Sequence, residues 1–238
     1  MRIKCDFFRI RIMAQFHALA EYTTYVDGQI QDSHHSTRCQ ILADNRGPSE
    51  KSDKSVQLWL AERQLEIDEC DRRFAVDFRR LLRFTVIVAT YTLVESSLLL
   101  ISQEIAKRMD LSLAVSDLRA KDLVSRFRKF WTKVAGLRWF KDIRWERLRD
   151  IQELRNCIAH RNGVIRENDG RIKTLLTHDL GVRLVDANDW LVDPNEAGTL
   201  EFEERFCRLV LEEMTGLFVA VFDNARCFGP DHVVVEPE

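Results

Sequence analysis

Between Ser55 and Met109 the chain carries neither glycine nor proline, and all 238 residues hold only 9 glycines and 4 prolines. Glycine supplies the positive φ of tight turns and proline presets their negative one, so a chain this poor in both has few turns. Long helices are expected rather than many short strands. Hydrophobic residues make up 45% of the sequence, which suffices for a sizeable core.

Ser55 is read as an N-cap, after which Val56, Leu58, Trp59, Leu60, Leu65, Ile67 and Phe74 recur at roughly helical spacing. A second helix is predicted over about 77–109, and its run Phe84–Ile101 is apolar almost all round. That run barely reaches membrane-spanning length, and it holds Glu95 and several hydroxyls. A charge at the middle of a membrane helix costs ~2.5–3.5 kcal/mol on insertion scales, so the reading is the central helix of a soluble bundle, with no membrane partner.

Further helices are expected over 117–134 and 139–160, parted near Gly136, with Arg161-Asn162-Gly163 ending the second. Beyond this turn the period changes. The short apolar pieces Val164–Arg166, Ile172–Leu176, Val182–Val185 and Trp190–Val192 predict a small β-hairpin or irregular insertion over about 164–193. A last helix, about 199–226, places Phe202, Phe206, Leu209, Val210, Met214, Leu217, Phe218 and Val221 on an inward stripe. Residues 1–54 lack a consistent period and end in the polar stretch 44–55, so they read as a poorly organised extension and linker with at most a short helix near 10–22. The fold class is therefore all-α, an up-and-down bundle of four to six helices over 55–228 with a small β insertion, followed by a tail over 229–238.

The net charge of -2 conceals an uneven distribution. Between Arg119 and Arg149 eleven Lys or Arg face three acids, whereas Asp193–Glu213 holds seven acids against Arg205 and Arg208. Such asymmetry draws a polyanion to one side of a near-neutral protein. The basic stretch interleaves Phe127, Phe130, Trp131, Trp139, Phe140 and Trp145 with its charges, and these aromatics are read first as the inner faces of amphipathic helices, secondarily as platforms for unpaired bases. The six cysteines show no paired short spacing and nothing at the start reads as a secretory leader, so reduced thiols in a cytoplasmic protein, with no metal and no cofactor, are expected.

One hexapeptide carries chemistry: Arg155-Asn156-Cys157-Ile158-Ala159-His160. Among 27 arginines and 6 histidines, chance supplies about two Arg-to-His spacings with four to six residues between. The chain holds four: Arg11 to His17, Arg155 to His160, Arg171 to His178 and Arg226 to His232. Only the pair at 155 and 160 is placed at the end of a predicted helix, with a polar Asn156 after the arginine. Five residues of ideal helix turn ~500°, so Arg155 and His160 point ~140° apart and lie about 7.5 Å apart along the axis. An isologous dimer would bring each copy beside its own counterpart and make one composite cleft.

The chain resembles the HEPN superfamily, whose helical bundles carry an Arg-polar-x-x-x-His element late in the core; here Arg155, Asn156 and His160 match it. Tyr91-Thr-Leu-Val-Glu95 is similar to the aromatic-x-x-x-Glu pattern of an earlier HEPN core helix. The resemblance covers roughly 55–228 as an architecture. Asn162 stands where HEPN toxins paired with nucleotidyltransferase antitoxins usually carry tyrosine, so the chain is not assigned to that group.

What the resemblance implies is a metal-independent endoribonuclease acting as a homodimer, a toxin or defence effector under the control of an antitoxin or other regulatory protein. An imidazole, whose ordinary pKa is ~6.5, suits proton transfer near neutrality, so His160 would take the 2′-hydroxyl proton or protonate the leaving 5′-oxygen. Arg155 would hold the phosphate with its planar fork, and Asn156 would orient the arginine or the RNA. The products would carry 2′,3′-cyclic phosphate and 5′-hydroxyl ends. Tyr91 and Glu95 are the supporting positions, Glu95 being equally readable as a satisfied polar group inside the bundle. Arg126, Arg128, Lys129 and Lys133 are the candidate RNA contacts. Cys157 reads as a packing residue rather than a nucleophile. The alternative function is a noncatalytic HEPN-like module that dimerises or binds RNA or protein, with Arg155 paired to Glu153 or Asp150 and His160 favoured only as a cation at a helix C-terminus.

Overall fold

The computed structural model describes residues 2–44, 47, 52–166, 168–178, 181–185 and 196–225. Helix follows helix: α1 (Arg2–Ala43), α2 (Asp53–Asp71), α3 (Arg79–Arg108), α4 (Leu123–Lys129) and α5 (Arg144–Arg161). Then come β1 (Val164–Arg166), α6 (Gly170–His178), β2 (Val182–Val185), β3 (Glu196–Phe202) and α7 (Glu204–Ala225). The architecture is a helical bundle with a small antiparallel sheet before the last helix, as the scarcity of breakers implied.

The two helices expected on either side of residue 75 are joined without a break. A seven-residue π segment, Arg72–Phe78, carries α2 into α3. The N-cap is Ser52 rather than Ser55: its side chain accepts from the Ser55 backbone N–H at 3.3 Å.

The chain forms two compact units, residues 1–20 with 86–238 and residues 21–85. These boundaries differ from a division at residue 54. The first unit draws in the start of α1, where Ile12 and Phe16 are buried and Phe16 meets Phe218 of α7 at 5.5 Å between ring centroids. Arg9 also reaches Asp223 at 3.2 Å. Residues 2–43 are thus one helix, not a loose extension. Periodicity missed it because only Ile12 and Phe16 are buried, while its other described apolar side chains are half-buried or exposed.

The core of this unit is built on α3. Val86, Ile87, Tyr91, Val94, Leu98 and Ile101 are buried at three- and four-residue intervals. On the other side Thr85 and Thr92 are exposed, and their hydroxyls donate to the carbonyls of Leu81 and Val88. The Asp53–Arg108 helix has one window apolar enough to cross a membrane by length and composition, and half of that window is buried inside the protein.

The aromatics of the basic stretch point inward, as amphipathic helices require. Phe127, Phe130, Trp131 and Trp145 are buried, and the Trp131 indole N–H donates to the Ser102 hydroxyl of α3 at 2.9 Å. Trp139 lies 4.5 Å from Trp145 between ring centroids. Helix formation over 117–134 is shorter than expected, since α4 starts at Leu123, capped by the Asp122 carboxylate on the Ser125 N–H at 2.6 Å.

In the β insertion, β1 and β2 both pair antiparallel with β3, in the order β1-β3-β2. Two expectations fail here. Ile172–Leu176 lies in α6 rather than in a strand, its Ile172 and Leu175 being buried at helical spacing. The segment 199–202 belongs to β3 rather than to the last helix, which begins at Glu204. A Cβ at Gly198 would meet the Val185 carbonyl oxygen at 2.8 Å, and φ there is +131°, so only glycine fits where β3 passes β2. Trp190–Val192 lies outside the described residues. On α7 the anticipated stripe is buried except Leu209, which is 38% exposed.

If α1 is part of the core, Phe16→Ala costs about 3–5 kcal/mol of unfolding free energy, the usual range for deleting a buried ring. Denaturant unfolding followed by circular dichroism would measure it. A loss under about 0.5 kcal/mol, as at exposed sites, would put the start of α1 outside the cooperative fold.

Candidate functional site

α5 carries the hexapeptide, and its sequence explains both its position and its end. Trp145, Leu148, Ile151, Leu154 and Cys157 form its buried stripe, facing α4, α6, β1 and α7. After Arg161 the chain turns left-handed, with φ of 51° at Asn162 and 81° at Gly163. The Asn162 N–H donates to Ile158 and the Gly163 N–H to Cys157, which satisfies carbonyls the helix leaves open. The Gly163 carbonyl then accepts from Leu200 of β3 at 2.9 Å, so the sheet is tied to the helix end. Arg161 adds a 2.5 Å bond to Asp169, which also accepts from the Arg166 N–H.

Arg155 is half-buried, and its guanidinium carbon lies 5.1 Å from the centroid of the Tyr91 ring on α3. One guanidinium nitrogen donates to the Asn156 side-chain oxygen at 3.0 Å. Among the described residues no acid takes its remaining donors. The alternative in which Arg155 pairs with Asp150 does not occur, because Asp150 is held by Arg171 at 2.6 Å. A cation over an aromatic face contributes about 0.5–2 kcal/mol, and here it also fixes the direction of the fork.

Tyr91 is buried, and burial, followed by the Glu95 carboxylate, pushes its phenol up to about 12 against the opposing pull of Arg155 and Arg126. Tyr91, Glu95, Arg126, Asp122 and Arg155 therefore share one electrostatic neighbourhood. Glu95 is half-buried one turn beyond Tyr91 on α3. Burial raises the Asp122 carboxyl, but hydrogen bonds from Ser125 and the nearby Arg149 outweigh it and hold the group below the usual carboxylate range.

Of the four basic residues singled out on the sequence, Arg128, Lys129 and Lys133 are exposed and make no ion pair among the described residues. Arg126 differs. It is half-buried, and its Nε is enclosed with no hydrogen-bond partner. The neighbouring arginines of the basic stretch are largely neutralised, Arg144 by Asp142, Arg147 by Glu213 and Arg149 by Glu146.

His160 is exposed in the last turn of α5 and makes no hydrogen bond among the described residues. It stays on the same regular helix as Arg155, so the divergence expected of a five-residue step holds and one chain does not close both side chains on one phosphate. Cys157 between them is buried and its thiol donates to the Val164 carbonyl at 3.3 Å. Burial pushes that thiol up to about 11, despite Arg161, so it is a packing group with almost no thiolate near neutral pH.

Helical placement does not single out the hexapeptide. Arg11 and His17 lie on α1 and Arg171 and His178 start and end on α6, while Arg226 and His232 lie outside the described residues. The distinction comes from surroundings. Arg11 and His17 are both exposed, Arg171 is consumed by Asp150 and Glu146, and Arg155 alone of the three is oriented by a buried aromatic ring.

Because the folded protein holds the Tyr91 proton more tightly than an unfolded chain, the resulting stability is complete below about pH 10 and is lost as pH rises toward 12. Tyr91→Phe has no proton to lose, so its stability should fall less steeply over that window. Urea midpoints of both proteins at pH 9 through 12 would measure this, and equal slopes would contradict the burial of the phenol. Comparison of the chain with protein-family models, with curated proteins and with solved structures finds no match.

Proposed function

We propose that the protein is a metal-independent endoribonuclease of HEPN type, working in the cytoplasm as a homodimer and serving as a toxin or defence effector. The observation that carries the reading is the state of Arg155: oriented by Tyr91 and Asn156, with donors that no acid among the described residues neutralises. A guanidinium prepared in this way can receive a phosphate oxygen without first breaking an ion pair, and it need not reorganise as the phosphorane gains charge. His160, exposed at the C-terminal end of the same helix, supplies the proton transfer. In a two-fold pair, Arg155 of one copy would sit beside His160 of the other, which answers their divergence on one helix.

Exposed Arg128, Lys129 and Lys133 would draw the RNA electrostatically, and the half-buried Arg126 would lie deeper, beside Tyr91. Burial takes Phe127, Phe130, Trp131 and Trp145 out of any base-stacking role, leaving only the half-buried Trp139 and Phe140, so affinity would rest mainly on phosphates and depend on salt. The second reading, a noncatalytic HEPN-like module, draws support from the same contacts: Tyr91 and Asn156 are intramolecular partners and would also serve an arginine that only ties α5 to α3. A regulatory partner such as an antitoxin belongs to the first reading alone.

Incubation of the purified protein with single-stranded RNA in EDTA separates the two. Cleavage is expected, with cyclic phosphate and 5′-hydroxyl ends. His160→Ala should lower the rate by about 10²–10⁴-fold, the usual contribution of a positioned general acid or base. Arg155→Ala should lower it by about 10²–10³-fold, as for loss of one preorganised charge-stabilising group. Cleavage that survives both substitutions would sink the catalytic reading.

A further inference from the structure

Residues 21–85 form a unit with little apolar core. Among its described residues only Cys70, Leu82 and Phe84 are buried, while Tyr22, Tyr25, Leu42, Leu58, Leu60 and Leu65 are among its exposed apolar side chains. Small units of this kind usually depend on something besides hydrophobic burial, commonly a disulfide or a metal. What the unit does contain is a knot of polar side chains between α1 and the end of α2. The ring of His34 meets Asp71 at 2.7 Å, and Arg38 reaches the same carboxylate at 3.3 Å. Phe74 stacks on the His34 ring at 5.7 Å and 18°, which fixes its plane. The Cys70 thiol, 5% exposed, faces the same place and has no hydrogen-bond partner among the described residues.

The ligand atoms of His34, Cys70 and Asp71 all lie within 4.8 Å of one another. A tetrahedral zinc site with ordinary bond lengths sets its nitrogen, sulfur and oxygen donors roughly 3.4–3.6 Å apart, so closing the three around an ion needs movements of about an ångström. We propose that His34, Cys70 and Asp71 bind one Zn²⁺, leaving the fourth position to water. Imidazole, thiolate and carboxylate together favour zinc over magnesium or calcium, which take oxygen ligands. On binding, the thiol loses its proton, the imidazole binds through its neutral nitrogen, and the hydrogen bond between His34 and Asp71 is exchanged for two bonds to the metal. Arg38 remains beside the carboxylate and orients it as an outer partner.

The water in the fourth position sets this site apart from the closed four-ligand sites usual for a purely structural zinc. The ion would staple α1 to α2 in the unit that most lacks a core, with no part in the chemistry of Arg155 and His160. Sequence spacing gave no sign of it, since His34 and Asp71 stand 37 positions apart and only the pairing of two helices brings them together. The absence of paired short spacings, which set zinc aside on the sequence, tests for a zinc finger and not for this arrangement.

Cobalt is the probe, because a Co²⁺–thiolate bond gives a near-ultraviolet charge-transfer band. The metal-free full chain titrated with Co²⁺ should show that band with an end point of one ion per chain, and Zn²⁺ should bleach it. Cys70→Ser should abolish it, and His34→Gln, at a half-buried position that tolerates the change, should weaken cobalt binding at least about tenfold. Cys39→Ser is the control, since Cys39 is exposed and its sulfur lies 3.7 Å from His35. It should leave the band intact. No thiolate band at stoichiometric cobalt, a band that survives Cys70→Ser, or one lost only in Cys39→Ser would each overturn the assignment.

Discussion

The inward face of α3 sets both the core of the larger unit and the attitude of its candidate site. Val86, Ile87, Val94, Leu98 and Ile101 bury themselves at helical intervals, and each fully buried aliphatic side chain contributes about 1.5–3 kcal/mol. Of the buried polar residues of α3, which also include Thr90 and Ser97, two reach other elements. Ser102 accepts the indole proton of Trp131, which fixes the aromatic cluster after α4, and Tyr91 presents its ring to Arg155 of α5. One face of one helix therefore registers two others, and the arginine is oriented by the packing that holds the bundle together. A change in that packing would be felt first as a loss of direction at Arg155.

Much of this was readable from residues alone. The want of breakers made α3 long, and Asn162-Gly163 took the positive φ values that stop α5. Tyr91 and Glu95 were chosen from a pattern, and the first lies against the arginine of the hexapeptide. What escaped the sequence did so for physical reasons. α1 is anchored in the larger unit by Ile12 and Phe16 among exposed residues, so its burial is a tertiary effect without a strong local period. α6 holds short apolar runs that fit helix and strand equally, and the choice is made by Ile172 and Leu175 facing inward together. β3 takes residues that would have extended α7 because its two partner strands satisfy its backbone on both sides. The enclosed Nε of Arg126 could not be seen in a basic run whose other members are either exposed or ion-paired.

The two ends of the hexapeptide are treated differently by the fold. Arg155 is held, Cys157 is sealed, and His160 is left in solvent at the end of the helix. This asymmetry suits a site completed by another copy of the chain, where the oriented cation waits and the histidine is the group that reaches across. It also separates the roles of the two units. The chemistry is proposed for residues packed on α3 and α5, while the thinly cored unit 21–85 offers polar ligands that a metal would draw together.

A mixing experiment tests the composite site most directly. Arg155→Ala and His160→Ala proteins, each inactive alone on RNA in EDTA, are combined under conditions that exchange subunits. If the arginine of one chain serves the histidine of the other, each mixed dimer regains one of its two sites, and because about half of the dimers are mixed at equal ratio, cleavage returns toward about a quarter of the rate of the unaltered protein. If mixed dimers form and no cleavage returns at any ratio, the two residues do not act across a dimer and the account of the site is wrong.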